Sequence, residues 1–154
     1  MNPILSQKFD ILTSTGEVKN LALSDIISSN TKTLLYFYPK DNTPGCTLEN
    51  KDFTCLKAKF QELWITLVWV SKDSIESHKK FVLWHGLEND LVSDPTLELH
   101  KAFWAYGEKN NYGKIIQGVI RSTVLLDNKW DTIKIWNNVK ATGHAEKMLR
   151  ELSK

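Results

Sequence analysis

Cys46 stands where a thiol is expected to become a thiolate. It closes the stretch Pro39-Lys40-Asp41-Asn42-Thr43-Pro44-Gly45-Cys46. The preceding segment, Thr33-Leu34-Leu35-Tyr36-Phe37-Tyr38, is β-branched and aromatic and reads as a buried strand. In the following segment Phe53, Leu56, Phe60 and Leu63 recur at three- and four-residue spacing, which predicts an amphipathic helix over 44–63. Cys46 then falls in the first turn of a helix that follows a strand. Backbone N–H groups there lack intrahelical acceptors, and the helix end carries a partial positive charge. Both favour an anion. They lower a thiol pKa from about 8.5 toward roughly 3.5 to 7.5 at such sites. The local pattern predicts a nucleophile.

The elements that must position this thiol are legible in outline. Phe9, Ile11 and Leu12, then Thr15-Gly16, then Val18 and Leu21, suggest an N-terminal β-hairpin. A short helical turn is expected over 23–27. Ile65-Thr66-Leu67-Val68-Trp69-Val70 is a second apolar run of strand length. Ser74 is an expected N-cap for a helix through about His85, packed by Ile75, Phe81 and Val82. Asp94-Pro95 is expected to open a short helix with Leu97, Leu99 and Phe103. Residues 106–118, rich in Gly, Asn and Lys, read as a loop. Ser122–Leu126 and Thr132–Trp136 flank Asp127-Asn128-Lys129 and read as a hairpin. His144 to Leu152 closes the chain as an amphipathic helix. Strands alternating with helices point to an α/β sandwich, and the late hairpin makes its sheet mixed.

The 154 residues suggest one domain, 1–154, large enough to fold without disulfides or metals. Net charge is +2 with no dense Lys/Arg run, so nucleic-acid and membrane-surface binding are not suggested. No apolar run is long enough to span a bilayer, and the first residues lack the pattern of a signal peptide. A reducing, cytoplasmic setting is the expectation. Two cysteines there point to catalysis or burial rather than a structural staple. His78, His85, His100 and His144 show no metal-ligand spacing and read as structural or surface residues. The six tryptophans read as core and rim packing, because no basic stripe accompanies them.

The spacing Pro39-x3-Thr43-x2-Cys46 resembles the active-site signature of the peroxiredoxins. The stretch Tyr38 to Glu49 is similar to the Q branch, also called bacterioferritin comigratory proteins. So are Val70-Ser71-Lys72-Asp73-Ser74 with Ser77-His78, Tyr106-Gly107-Glu108-Lys109, Gly118 to Thr123, and Val139 to Ala145. The resemblance covers nearly the whole chain. It implies a thioredoxin-like three-layer sandwich and reduction of hydrogen peroxide and organic hydroperoxides at a cysteine. No cofactor and no metal are implied.

By this resemblance Cys46 is the peroxidatic thiolate. Thr43 supplies a hydroxyl for sulfur or peroxide, and Arg121 supplies a fixed cation with planar donors. The types suit the reaction, because negative charge spreads over three atoms in line as the O–O bond breaks. Pro39 closes the strand and shields the thiolate. Pro44 and Gly45 suit the tight entry into the helix. Glu49, one turn after Cys46, could orient an arginine by a charge-assisted bond, or serve only the helix dipole.

The chain departs from the branch at one point. Many members carry a resolving cysteine five residues after the peroxidatic one, where this chain has Lys51. Cys55 lies nine residues on, roughly 13.5 Å along a helix and on the opposite face. A disulfide needs Cα atoms within about 7 Å. Some members resolve from the later helix, but residues 74–85 contain no cysteine. A one-cysteine route is therefore expected. The sulfenic acid would be reduced by an external thiol such as thioredoxin, glutaredoxin or glutathione, and the expected state is a monomer. A redox relay protein and a non-catalytic thioredoxin-like binding module are the alternatives.

Overall fold

The computed structural model describes residues 3–13, 15–26, 32–39, 41, 44–86, 90–111, 113–129, 131–137 and 143–152, with the backbone alone at 26, 44–50 and 109–111. A 3₁₀ turn at Pro3–Ser6 precedes β1 (Lys8–Leu12) and β2 (Val18–Ala22). Then come α1 (Leu23–Ile26), β3 (Lys32–Phe37), α2 (Pro44–Glu62), β4 (Ile65–Ser71) and α3 (Ile75–His85). They are followed by β5 (Asp90–Ser93), α4 (Glu98–Ala102), β6 (Tyr106–Asn111) and β7 (Lys114–Val119). β8 (Ser122–Leu126), β9 (Thr132–Trp136) and α5 (His144–Leu152) complete the order.

Seven strands form one sheet in the order β2-β1-β5-β4-β3-β8-β9. β3 pairs with β4, and β4 with β5, in parallel; the other pairings are antiparallel. The sheet is mixed, as expected, and the hairpin of β1 and β2 forms one edge. Alternation along β3 and β4 divides two cores. Leu34, Tyr36, Tyr38, Leu67 and Trp69 face one core with Phe53 and Phe60 of α2, Phe81 of α3 and Met148 of α5. Leu35, Phe37, Val68 and Val70 face the other, with Leu5, Leu23, and Leu99 and Phe103 at α4. The sheet thus lies between two helical layers. Their apolar faces account for the runs of strand length seen in the sequence.

Three expectations are corrected. Residues 106–118 are not a loop. They contribute β6 and β7, a separate two-stranded ribbon in which Tyr106 pairs with Val119 and Asn111 with Lys114. Gly113 turns it with φ +82°, and the high Gly, Asn and Lys content obscured the β-branched Ile115, Ile116 and Val119. α4 begins at Glu98 rather than at Asp94-Pro95, because Leu97 takes left-handed backbone (φ 64°) at its N-cap. Among the described tryptophans, Trp69 is buried, whereas Trp64, Trp84 and Trp104 are 69%, 63% and 65% exposed. Trp64 and Trp104 occupy left-handed positions just after α2 and α4, where a helix ends and the side chain turns outward. β5 carries no periodic signal in the sequence: only Leu91 and Val92 are apolar, too short a run to register.

Capping of α3 follows the sequence. Ser74 Oγ accepts the Ser77 main-chain N–H at 3.2 Å. Gly86, with φ 63°, donates its N–H to the Val82 carbonyl at the other end. The turn between β8 and β9 is held by the Asp127 side chain. It accepts the main-chain N–H groups of Lys129 and Asp131 at 2.8 and 3.0 Å, which holds its carboxyl below the usual carboxylate range.

Candidate active site

α2 starts at Pro44, so Cys46 is the third residue of a 19-residue helix. Its main-chain N–H is one of the four at a helix start that have no intrahelical acceptor. The connection from β3 bends at Pro39, which is half-buried, and passes through Asp41, which is 4% exposed. Thr43 lies outside the described residues. The side chains of Pro44, Cys46 and Glu49 do as well, though their backbone is helical. Cys55 is free, exposed and on the same unbroken helix as Cys46. Nine residues of helix separate the two by about 13.5 Å of axial rise.

Arg121 sits one residue ahead of β8, half-buried rather than on the open surface. Its Nη1 donates to Tyr36 Oη at 2.8 Å. Tyr36 is 1% exposed and packs its ring 5.2 Å from that of Phe53, so the bond lies on the sheet face that α2 covers. Across the β3–β8 pairing Tyr36 is opposite Thr123. Thr123 Oγ1 shares a 2.6 Å hydrogen bond with His144 Nε2. The His144 ring completes the cluster, 6.0 Å from Tyr36 and edge-on to Phe53 at 5.7 Å. Burial, reinforced by the positive charges of Lys147 and Arg121, lowers the His144 pKa to about 4. At neutral pH this histidine is therefore uncharged, and Lys147 and Arg121 carry the positive charge around it.

A second buried polar group surrounds the connection itself. Asp41 Oδ1 accepts from Tyr38 Oη at 2.5 Å, and Oδ2 accepts from Ser77 Oγ at 2.9 Å. Oδ2 also lies 2.6 Å from His78 Nδ1. Burial and the Asp41 charge hold the Tyr38 hydroxyl well above its ordinary pKa, which keeps it a donor. The Asp41 main-chain N–H donates to Asp73 Oδ2 at 2.7 Å. Sequence reasoning missed Tyr36, Asp41, Thr123, and the site-side placement of His78 and His144. Tyr36 had a signal, since it shares the period-two face of Leu34 and Tyr38. Asp41 and His78 are 37 positions apart and meet only through the fold.

A mixed sheet between two helical layers, with a cysteine three residues into the helix after β3, defines the thioredoxin-like class. Residues 6–134 match the AhpC/TSA family. The Peroxiredoxin Bcp of Xanthomonas campestris is 43% identical over 119 residues, covering 77% of this chain and 74% of that protein. The Peroxiredoxin Bcp of Bacillus subtilis is also 43% identical, over 77% of this chain and 76% of its own. Among solved structures, the Xanthomonas campestris bacterioferritin comigratory protein, described for its alkyl peroxide reduction activity, superposes with a TM-score of 0.83. It is 35% identical over 97% of this chain and 92% of its own. A cysteine-to-serine mutant of Xylella fastidiosa PrxQ gives 0.84 at 37% identity, over 99% and 91%. The chain belongs to the AhpC/TSA family and is a peroxiredoxin of the Bcp or PrxQ kind, a thiol-dependent peroxidase. Its activity implies a hydroperoxide substrate and a thiol reductant. Among the described residues, no helix is long and apolar enough to cross a membrane.

Proposed function

We propose that Cys46 is the attacking thiolate of this peroxidase and that Arg121 is its fixed cation. The observation that supports this reading best is the start of α2 at Pro44, with Arg121 held by Tyr36 on the sheet face beneath that helix. Thr43 donates its hydroxyl, Pro39 and Pro44 shape the entry and limit water, and Glu49 orients a guanidinium. The Cys46 sulfur attacks the terminal peroxide oxygen. The O–O bond breaks, Cys46 becomes a sulfenic acid, and the alkoxide or hydroxide leaves and takes a proton from solvent. Hydrogen peroxide and organic hydroperoxides are the substrates, in line with the alkyl peroxide reduction described for the Xanthomonas neighbour.

Turnover follows a one-cysteine route. Cys55 is the only other thiol of the chain, and an intact α2 holds it far from Cys46. An external thiol condenses with the sulfenic acid, releasing water, and a second thiol then frees Cys46 as the first leaves in a disulfide. Thioredoxin, glutaredoxin and glutathione are the candidates. The working unit is a cytoplasmic monomer built from one domain over 1–154.

Steady-state peroxide consumption with each reductant tests the route. Cys46→Ser should abolish turnover, and intact mass after one equivalent of peroxide should show one added oxygen or a mixed disulfide with added thiol. A loss of two hydrogens mapping to Cys46–Cys55 within one chain would overturn the one-cysteine route. A single turnover with every reductant would favour a redox relay instead.

A further inference from the structure

We propose that Asp41, locked by Tyr38, Ser77 and His78, is a positioning residue of the peroxide-reducing site. It fixes the connection from β3 to α2 and so the entry of the helix whose third residue is Cys46. This inference rests on Cys46 being the attacking thiol.

Asp41 lies five residues ahead of Cys46 and three ahead of the helix start. Its carboxylate collects side chains from two directions: Tyr38 from the end of β3, and Ser77 and His78 from the first turn of α3. Its main-chain N–H goes to Asp73, in the connection between β4 and α3. Asp73 is itself braced, because Oδ2 accepts from Ser71 Oγ at 2.8 Å and its carbonyl accepts from Ser93 Oγ at 2.6 Å. His78 reaches further, with Nε2 3.1 Å from the Val92 carbonyl on β5. The short connection is thereby tied to β3, β4, α3 and β5 at once.

The hydrogen positions follow from the partners. A carbonyl oxygen only accepts, so His78 Nε2 carries a hydrogen. The 2.6 Å contact from Nδ1 to Asp41 Oδ2 then needs a second proton, shared or on the ring. Tyr38 and Ser77 both donate to Asp41, one to each carboxyl oxygen. The pair is a buried, hydrogen-bonded brace rather than a solvent-facing contact. A helix end acts on a thiol only while its first turn is held in place, and a 1 Å displacement can reduce a rate by about a hundredfold.

The test uses the full chain carrying Cys55→Ser, so that a single thiol reports. Cys46 alkylation is followed against pH, and peroxide reduction is followed in single turnovers, with thermal unfolding measured alongside. Asp41→Asn should slow peroxide reduction by about tenfold to a hundredfold and raise the alkylation midpoint by about one pH unit, in protein that remains folded at the assay temperature. His78→Gln, which keeps a donor toward Oδ2, should recover part of both losses relative to His78→Ala. A folded Asp41→Asn protein with the parent's rate and midpoint, even at a lowered Tm, would falsify the positioning role. Where Asp41→Asn fails to fold, Tyr38→Phe and Ser77→Ala each remove one hydrogen bond. Parent-like rates and midpoints in both would overturn the proposal equally. Peroxide reduction that survived Cys46→Ser would remove the underlying assignment. A Cys46-dependent reaction indifferent to Asp41 removes this inference alone.

Discussion

Asp41–His78 and Asp94–His100 are the same pair of side chains at the same 2.6 Å separation, buried on opposite faces of one sheet. α3, which carries His78, contributes Phe81 to the core beneath α2. His100 packs edge-on to Phe37, 5.1 Å away, in the other core. Their surroundings differ. Both ring nitrogens of His78 and both carboxylate oxygens of Asp41 have partners. His100 Nε2 and Asp94 Oδ1 have none among the described residues. Asp94 Oδ2 instead also accepts the His100 main-chain N–H at 2.9 Å, which folds the segment 94–100 onto itself. One pair ties the end of β3, α3 and β5 around a short connection, and the other ties the start of α4 to the residue that follows β5. The pair type is shared; what differs is the partner of the far nitrogen.

The largest effect that can break this comparison is on stability. Removing one member of a buried pair leaves its partner's charge or donor uncompensated, at a loss of about 3–5 kcal/mol. Asp41→Ala and Asp94→Ala should each show a loss of that order in urea unfolding, but peroxide reduction per folded molecule should fall only in Asp41→Ala. An equal loss of rate in both would erase the distinction between brace and turn.

His144 sharpens the comparison as a buried histidine that meets a hydroxyl at Nε2, where His78 and His100 each meet a carboxylate at Nδ1. Its folded pKa of about 4 lies below the ordinary 6.5. As pH falls, the unfolded chain therefore takes up this proton first. The stabilisation is complete above about pH 6.5 and is lost as pH falls toward 4, by up to roughly 3 kcal/mol. The stability difference between the parent and His144→Gln should shrink across that window. A difference that stays constant from pH 7 to 4.5 would show that His144 does not titrate this way.

The smallest expected effect is at Tyr36. Tyr36→Phe removes the acceptor of Arg121 Nη1 while keeping the ring against Phe53. A hydrogen bond to a charged group contributes about 1.5–3 kcal/mol, of which a part acting in the transition state would lower kcat/KM by about tenfold. Thermal stability should fall by no more than this bond contributes. Parent-like kcat/KM would make this bond a packing feature only.

Much of the site's frame is visible in the sequence because it is local. The strand over 33–38, the turn through Pro39 and the helix carrying Cys46 follow from adjacent residues, and Ser74 and Gly86 cap α3 by short-range chemistry. Arg121 could be named only through family resemblance, since nothing local links it to residue 46. What stayed hidden depends on pairing at a distance. β5 is a strand because β1 and β4 flank it, with Ile11 opposite Val92 and Val70 beside Val92. Asp41 and His78, or Tyr36 and Arg121, carry no periodic signal that links them. Polar residues brought together inside a core read, one at a time, as ordinary surface residues.

The β6–β7 ribbon has a thermodynamic consequence of its own. Among the described residues it pairs with no strand of the main sheet, and Ile115 is 74% exposed. Its base is fastened where the Ile120 main-chain N–H donates to the Ala105 carbonyl at 2.8 Å. Two strands alone are marginal in water, so this ribbon is expected to open as a cooperative unit ahead of the main sheet. Its amides should exchange with solvent through local fraying that leaves β3 and β4 protected. Arg121 lies just past the fastened base, so the fraying expected of the ribbon stops short of it.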